Sequence, residues 1–273
     1  MKETIKNKSS EDNKTTYIFE FNSINEFYNY ICETPLNEHF RCKKLSSVTG
    51  SESFTKTKTF EEASELLRNG SDDIAKQLQQ KLEAKKNDFV MTTKSKTVYD
   101  VQGFQCCVPL YLQGVPNNMI SRRNIKVKQK VITLTKAINY NAGVSTERIM
   151  DESIKALQLV RKIESQGTRC NLNIVVSTEK TKNRIMMKVR VKNSTEKINV
   201  SKLAFCMVHP SMLRRMSFRF IEVCPRTTKD YIPGYGCATS DNIMRKLLGD
   251  NEYLIPSFIS TDINEIKDLS NIR

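Results

Sequence analysis

Histidine is nearly absent: His39 and His209 are the only two in 273 residues. Neither stands in an HExxH or HxxxH arrangement, which removes the usual helical zinc geometry. His209 precedes Pro210 and is accounted for as a turn cap. Neither glycine-rich phosphate cradle, GxxxxGK[ST] or GxGxxG, occurs. A GxSxG elbow is also missing, and Gly234-Tyr235-Gly236 is too short a glycine turn to be specific. The adjacent acids Asp72-Asp73 and Asp151-Glu152 read as first-turn helix charges. A nuclease would need clustered carboxylates to hold metal, and the second half of the chain is poor in them. No catalytic residue, metal site or cofactor is therefore expected, and an enzyme with an unrecognised site, such as a nuclease, is the third-ranked alternative.

Also lacking is any run of about 18 apolar residues, the length needed to span a membrane. The polar opening Met1-Lys2-Glu3-Thr4-Ile5-Lys6 has no apolar core of a signal peptide, and residues 1–14 are expected to be a flexible tail. No CxxC occurs among the eight cysteines, and Cys106-Cys107 is a bare adjacent pair. Such thiols, as in Leu203-Ala204-Phe205-Cys206-Met207-Val208, read as small core hydrophobes of an intracellular protein.

What is abundant is positive charge, and it is unevenly placed. Residues 1–100 carry 16 Lys and Arg against 16 Asp and Glu, whereas residues 101–273 carry 28 against 14. The whole net charge of +14 therefore lies in the second part. That asymmetry points first to nucleic acid, DNA or RNA, and second to an acidic protein or membrane surface, of which the acidic protein is kept as the alternative and no membrane partner is expected. Two stretches concentrate it. Arg122, Arg123, Lys126, Lys128, Lys130 and Lys136 occur with no acid among them, and Lys126, Lys128 and Lys130 share one face if the segment is a strand. In the second stretch, Lys188, Arg190 and Lys192 alternate with Met187, Val189 and Val191. Two neighbouring strands of this kind would form a cationic surface that tracks phosphates, extended by Arg214 and Arg215. Of the aromatics that could stack on bases (Tyr99, Phe104, Tyr111, Tyr140, Phe218, Tyr231 and Tyr235), Tyr140, Tyr231 and Tyr235 are expected in exposed loops.

Periodicity organises the rest as an α/β protein. Thr59 and Glu62 form a capping box for a helix ended by Gly70, and Ile74, Leu78 and Leu82 mark a further, exposed helix. Residues 131–138, a helix from Ser145 to Gly167 and residues 170–176 make a βαβ unit at about 131–176, with a parallel strand pair. The cationic strands do not suit a sheet covered on both faces, so a mixed sheet with flanking helices and one open face is expected. The organisation predicted is a charge-neutral, α-rich N-terminal region at 15–100 and a basic α/β domain at 101–273. Early in the second of these, Val108-Pro109 to Met119 reads as a fixed, non-repetitive loop. The span 197–240 is ambiguous between helix and buried strand.

Three segments carry a resemblance: Phe60-Glu61-Glu62-Ala63 with Leu66-Leu67 and Asn69-Gly70; Val108-Pro109 with Tyr111-Leu112, Gly114, Pro116 and Asn118-Met119; and Leu213-Arg214-Arg215-Met216 with Phe218. They resemble a family of uncharacterised proteins of bacteriophages and mobile elements, which brings no activity with it. The 131–176 unit also resembles the opening of a von Willebrand A-type fold. That family holds a metal through Asp-x-Ser-x-Ser after its first strand, and the turn here, Asn139-Tyr140-Asn141-Ala142-Gly143, has no aspartate. The resemblance implies a phage-encoded accessory protein in the cytoplasm of an infected bacterial host; the charge asymmetry, not the resemblance, implies that it binds nucleic acid with little sequence preference, single strands included. The alternative is an interaction or virion protein with an acidic partner; oligomeric state is open.

Overall fold

The computed structural model describes residues 1–6, 14–41, 44–48, 52–84, 95–124, 131–140, 143–232, 235, 237–249 and 251–259. In chain order its elements are β1 (Lys2–Lys6), β2 (Thr15–Phe21), α1 (Ile24–Glu33), α2 (Glu52–Thr55), α3 (Phe60–Asn69) and α4 (Asp72–Ala84). β3 (Ser95–Asp100), β4 (Gln105–Cys106), α5 (Val108–Leu112) and β5 (Met119–Asn124) come next. The βαβ unit is β6 (Val131–Ala137), α6 (Thr146–Ser165) and β7 (Arg169–Glu179), followed by β8 (Asn183–Lys192). α7 (Val200–Leu203) runs into two π-helical stretches, Ala204–Val208 and Met212–Ser217, and then α8 (Phe218–Val223). β9 (Cys237–Ala238), α9 (Asp241–Leu247) and β10 (Glu252–Ile255) complete the order.

The class is α/β: a mixed sheet in the order β1-β2-β8-β7-β6-β10, with β9 paired onto the end of β7. β6 and β7 are parallel, as the crossover through α6 requires. β10 is parallel to β6 at the sheet edge, where Pro256 then ends it. β2 is parallel to β8, and the pairs β7–β8 and β1–β2 are antiparallel.

Local chemistry sets the helix ends. Thr59 Oγ1 accepts the Glu62 amide at 3.1 Å, and Glu62 Oε2 accepts the Lys58 amide at 2.6 Å. Gly70 ends α3 at φ +95°, and a Cβ there would lie 2.9 Å from the Ser201 backbone, so only glycine lets α3 meet α7. Ser145 caps α6 by accepting the Arg148 amide.

Alternation then divides the sheet. Phe19, Phe21, Leu134, Leu172, Ile174, Met187 and Val189 belong to one large buried cluster with the inner faces of the helices. Ile18, Ala137, Val175 and Met186 lie on the other face under Met244 and Leu247 of α9. The same large cluster takes Phe27, Ile31 and Leu67 from the first hundred residues together with Phe205, Phe220 and Tyr231. The expected 15–100 region and 101–273 domain thus share one core, because β2 lies inside the sheet beside β8. Lys2–Lys6, expected within a flexible tail at 1–14, instead forms the edge strand β1, since the exposed flank of β2 offers it a ladder. Leu78 and Leu82 of α4 are fully buried, although that helix read as exposed. The ambiguous span near 197–240 is helical where it is apolar, from α7 to α8.

Candidate functional site

The second predicted cationic strand is real, but its charges are spent internally. Lys188 Nζ lies 2.9 Å from Glu252 and 2.5 Å from Glu20. Burial alone would lower its pKa, yet these two carboxylates hold it above the ordinary lysine value. Glu252 completes the network by accepting from Thr135 and from Asn173 Nδ2. Burial would raise this carboxyl, but Lys188 and those donors hold it below its usual range. Arg190, half-buried, donates to Asn173 at 3.4 Å. A register shift between Leu172 and Asn173 interrupts the alternation, and Lys192 Nζ meets Glu164 of α6 at 2.7 Å and the Cys170 carbonyl at 3.1 Å. The expected phosphate contacts Lys188 and Lys192 are therefore corrected to structural ion pairs: cations this buried require partners, and the fold supplies them.

Arg214 and Arg215, expected as exposed phosphate contacts, are corrected to buried residues. Arg214 is buried, and desolvation lowers its pKa. Arg215 is fully buried and donates to Thr57 Oγ1, the Ser46, Thr57 and Lys58 carbonyls and Thr55 Oγ1. It staples the 46–58 segment onto the helical layer. The three aromatics expected in exposed loops are buried as well. Tyr231 donates to the Asn183 carbonyl, Tyr235 donates to Glu222 at 2.6 Å, and Tyr140 lies beside α6 in the main cluster. Lys126, Lys128 and Lys130 lie outside the described residues; for Arg123 the backbone alone is described, in β5.

What remains is an insert between α4 and β6. Its strands form a separate antiparallel sheet in the order β3-β5-β4. No residue from 96 to 122 is buried. Six large apolar side chains, Tyr99, Val101, Phe104, Val108, Tyr111 and Leu112, are 56–78 % exposed. The insert owes its shape to backbone and turn chemistry instead of a core. Gly103 lets the chain cross β5 so closely that a Cβ would sit 2.2 Å from the Ile120 carbonyl oxygen. Phe104 N–H donates to that same oxygen at 2.9 Å. Cys107 N–H donates to the Asn118 carbonyl, and Gly114, at φ +71°, turns the chain after α5.

Cations stand among these apolar groups. Register places Lys96 opposite Arg123 and Thr97 opposite Arg122. Like charges directly opposed on a sheet repel. The Arg122 guanidinium lies over the Phe104 ring at 5.4 Å. Tyr99, opposite Ile120, shares the face of Arg122 because positions 120 and 122 are two apart on β5. In the sequence, residues 94–130 hold seven Lys or Arg against a single acid, Asp100.

Of the predicted cations, then, Arg122 is exposed on the insert, Arg190 is half-buried on the main sheet, and Lys188, Lys192, Arg214 and Arg215 are structural. Tyr99, Phe104 and Tyr111 stand among the aromatics that could stack on bases, yet the sequence places only Tyr140, Tyr231 and Tyr235 in exposed loops. The signal that separates them is local. They lie within 16 residues punctuated by Gly103, Pro109 and Gly114, too irregular to offer a helix stripe or a one-sided strand to a core.

Elsewhere the chemistry is sparse. A cavity of about 10 Å³ lies between Tyr140, Ile149 and the π-helical stretches, room for about one water. His209 borders it. Burial lowers its pKa to about 4, and its Nδ1 accepts the Ser211 amide. Among the described residues, no group of three His, Cys, Asp or Glu could hold a metal, and no helix is long and apolar enough to cross a membrane. Cys170, Cys206 and Cys224 are buried as expected of core thiols, whereas Cys32, Cys106 and Cys237 are exposed. Residues 4–272 match the model of a family described as a domain of unknown function, DUF7192. No curated protein and no solved structure matches.

Proposed function

The chain belongs to the DUF7192 family, and we propose that it is a phage-encoded accessory protein that binds nucleic acid without strong sequence preference, through the 95–124 insert and its basic flanks. The observation that carries this reading is the combination of charge and exposure in one short segment. Seven cations against one acid between residues 94 and 130 flank a sheet with no buried residue from 96 to 122. The ion pairs of β8 sharpen it, because Lys188 and Lys192 bring their own counter-ions while the insert concentrates cations with little acid. Phosphates would neutralise Lys96, Arg122 and their neighbours and release condensed counter-ions.

Fluorescence anisotropy of a labelled oligonucleotide at two salt concentrations tests it. If about six phosphates are contacted, affinity falls roughly 300-fold between about 50 and 200 mM salt, from a slope near −0.7 per contact on single strands. The double reversal Lys96→Glu with Arg122→Glu should weaken binding at the lower salt and flatten that slope. Absence of binding at the lower salt would sink the reading. The exposed Val101, Val108 and Leu112 would then point to a protein partner.

A further inference from the structure

We infer that the insert takes unpaired bases: Tyr99 and Phe104 form a stacking platform, with Arg122 fixing the Phe104 ring, so the preferred ligand is single-stranded nucleic acid. This rests on the nucleic-acid reading above and adds a ligand class to it.

The side chains on offer are suited to flat partners. Reading a duplex in its major groove needs a helix or ribbon that presents hydrogen-bonding side chains to base edges. Among the insert's described residues the one helix, α5, is five residues long with Pro109 in its first turn. The β3–β5 pair presents Thr97, Tyr99, Ile120 and Arg122 on one face, a set dominated by apolar and aromatic surface. Tyr99 and Phe104 are 56 % and 62 % exposed, so each has ring surface to offer a base even with Arg122 over one face of Phe104. Arg122 lies 5.4 Å from the Phe104 centroid, so a stacked base would have a cation beside it for the adjoining phosphate. Rings that accept any base give affinity without sequence preference, and they require the bases to be out of the duplex stack.

Charge selects this occupant over a second copy of the chain. Apposing two inserts through the Tyr99 face would bring Arg122 against its equal in a molecule of net charge +14, whereas a polynucleotide supplies opposite charge together with planar apolar surface. The insert, having no core, would gain order from the bases that cover it.

Three probes of equal length separate the contributions: a labelled 15-mer of deoxythymidine, a 15-unit abasic phosphodiester with the same phosphates, and a 15-base-pair duplex. Loss of one stacked base costs roughly 5- to 150-fold in affinity. Two rings should therefore make the thymidine strand bind at least about 30-fold tighter than the abasic strand. Tyr99→Ala with Phe104→Ala should erase that ratio while leaving abasic binding unchanged. Tyr99→Leu with Phe104→Leu, which keeps apolar bulk, should erase it too, and an unchanged melting temperature certifies both folds. Equal wild-type affinity for the thymidine and abasic strands, tighter binding of the duplex, or full affinity in both double variants overturns the platform but leaves electrostatic binding standing. Failure of all three probes to bind is different, because it removes the nucleic-acid reading itself. In that event loss of a wild-type oligomer in the same variants would identify the surface as a protein interface.

Discussion

Lys136 occupies the sixth position of β6 and is fully buried. Its Nζ donates to the carbonyls of Pro256 at 2.5 Å and Ser257 at 2.9 Å. Burial pulls its pKa down to about 7, against a smaller upward pull from the Glu152 and Asp241 carboxylates and with Lys155 adding to the lowering. In the unfolded chain the same amine titrates near about 10.4. Between those values the unfolded state holds a proton that the folded state has lost, so stability must rise with pH across the window. From pH 7 to about 8.5 the gain is about 1.5 kcal/mol, because the folded amine is half protonated at the start and the limiting slope is about 1.4 kcal/mol per pH unit. The comparison is urea unfolding of the wild type and Lys136→Met at both pH values. The variant differs from the wild type by a constant in packing and lost carbonyl bonds, and by this pH-dependent amount in titration. The buried thiols Cys170, Cys206 and Cys224, each pushed up to about 12, oppose the rise at higher pH and cancel in the difference. Parallel stability profiles for the two proteins would refute the buried, near-neutral lysine.

Two further substitutions probe the core. Arg215→Met removes the five hydrogen bonds that the guanidinium gives to Ser46, Thr55, Thr57 and Lys58. It should cost about 3–5 kcal/mol, read from chemical denaturation, with Arg215→Lys restoring only part because one ammonium reaches fewer acceptors. A cost under about 1 kcal/mol would show that solvent replaces the guanidinium. Tyr140→Phe removes a buried hydroxyl that has no hydrogen-bond partner among the described residues, and it should leave the melting temperature unchanged or raise it, by up to about 1 kcal/mol in stability. A clear loss would mean that a water in the adjoining cavity satisfies it.

The parts of the fold legible in the sequence are those where one signal acts alone. The Thr59–Glu62 capping box, the α6 stripe with Ser145 and Gly167 at its ends, and the β6–α6–β7 unit are local patterns, and the structure keeps them. The charges of β8 were legible as alternation, but not their destinations. Glu20 and Glu252 are 168 and 64 residues from Lys188 in the chain, and only the strand order β2-β8-β7-β6-β10 brings all three together. Tyr231 and Tyr235 stand in a Pro- and Gly-rich stretch that reads as a surface loop, yet it lies against Asn183 and Glu222 through tertiary contacts that no local window contains. The reverse holds for Tyr99, Phe104 and Tyr111. Their residue types suggest core, and only the structure reveals a sheet in which no residue from 96 to 122 is buried. Strand β1 illustrates a third limit: a polar, charged segment becomes ordered because a neighbour offers it a ladder.

The most direct test of the whole account is amide hydrogen exchange of the full chain, alone and saturated with a 15-mer of deoxythymidine. A sheet without a core opens easily, so amides between 96 and 122 should exchange quickly in the free protein. They should slow markedly in the complex, while the α6 and β7 amides stay as they were. Protection confined to the main sheet or its helices, with the insert exchanging as before, would contradict the assignment of this insert as the binding surface.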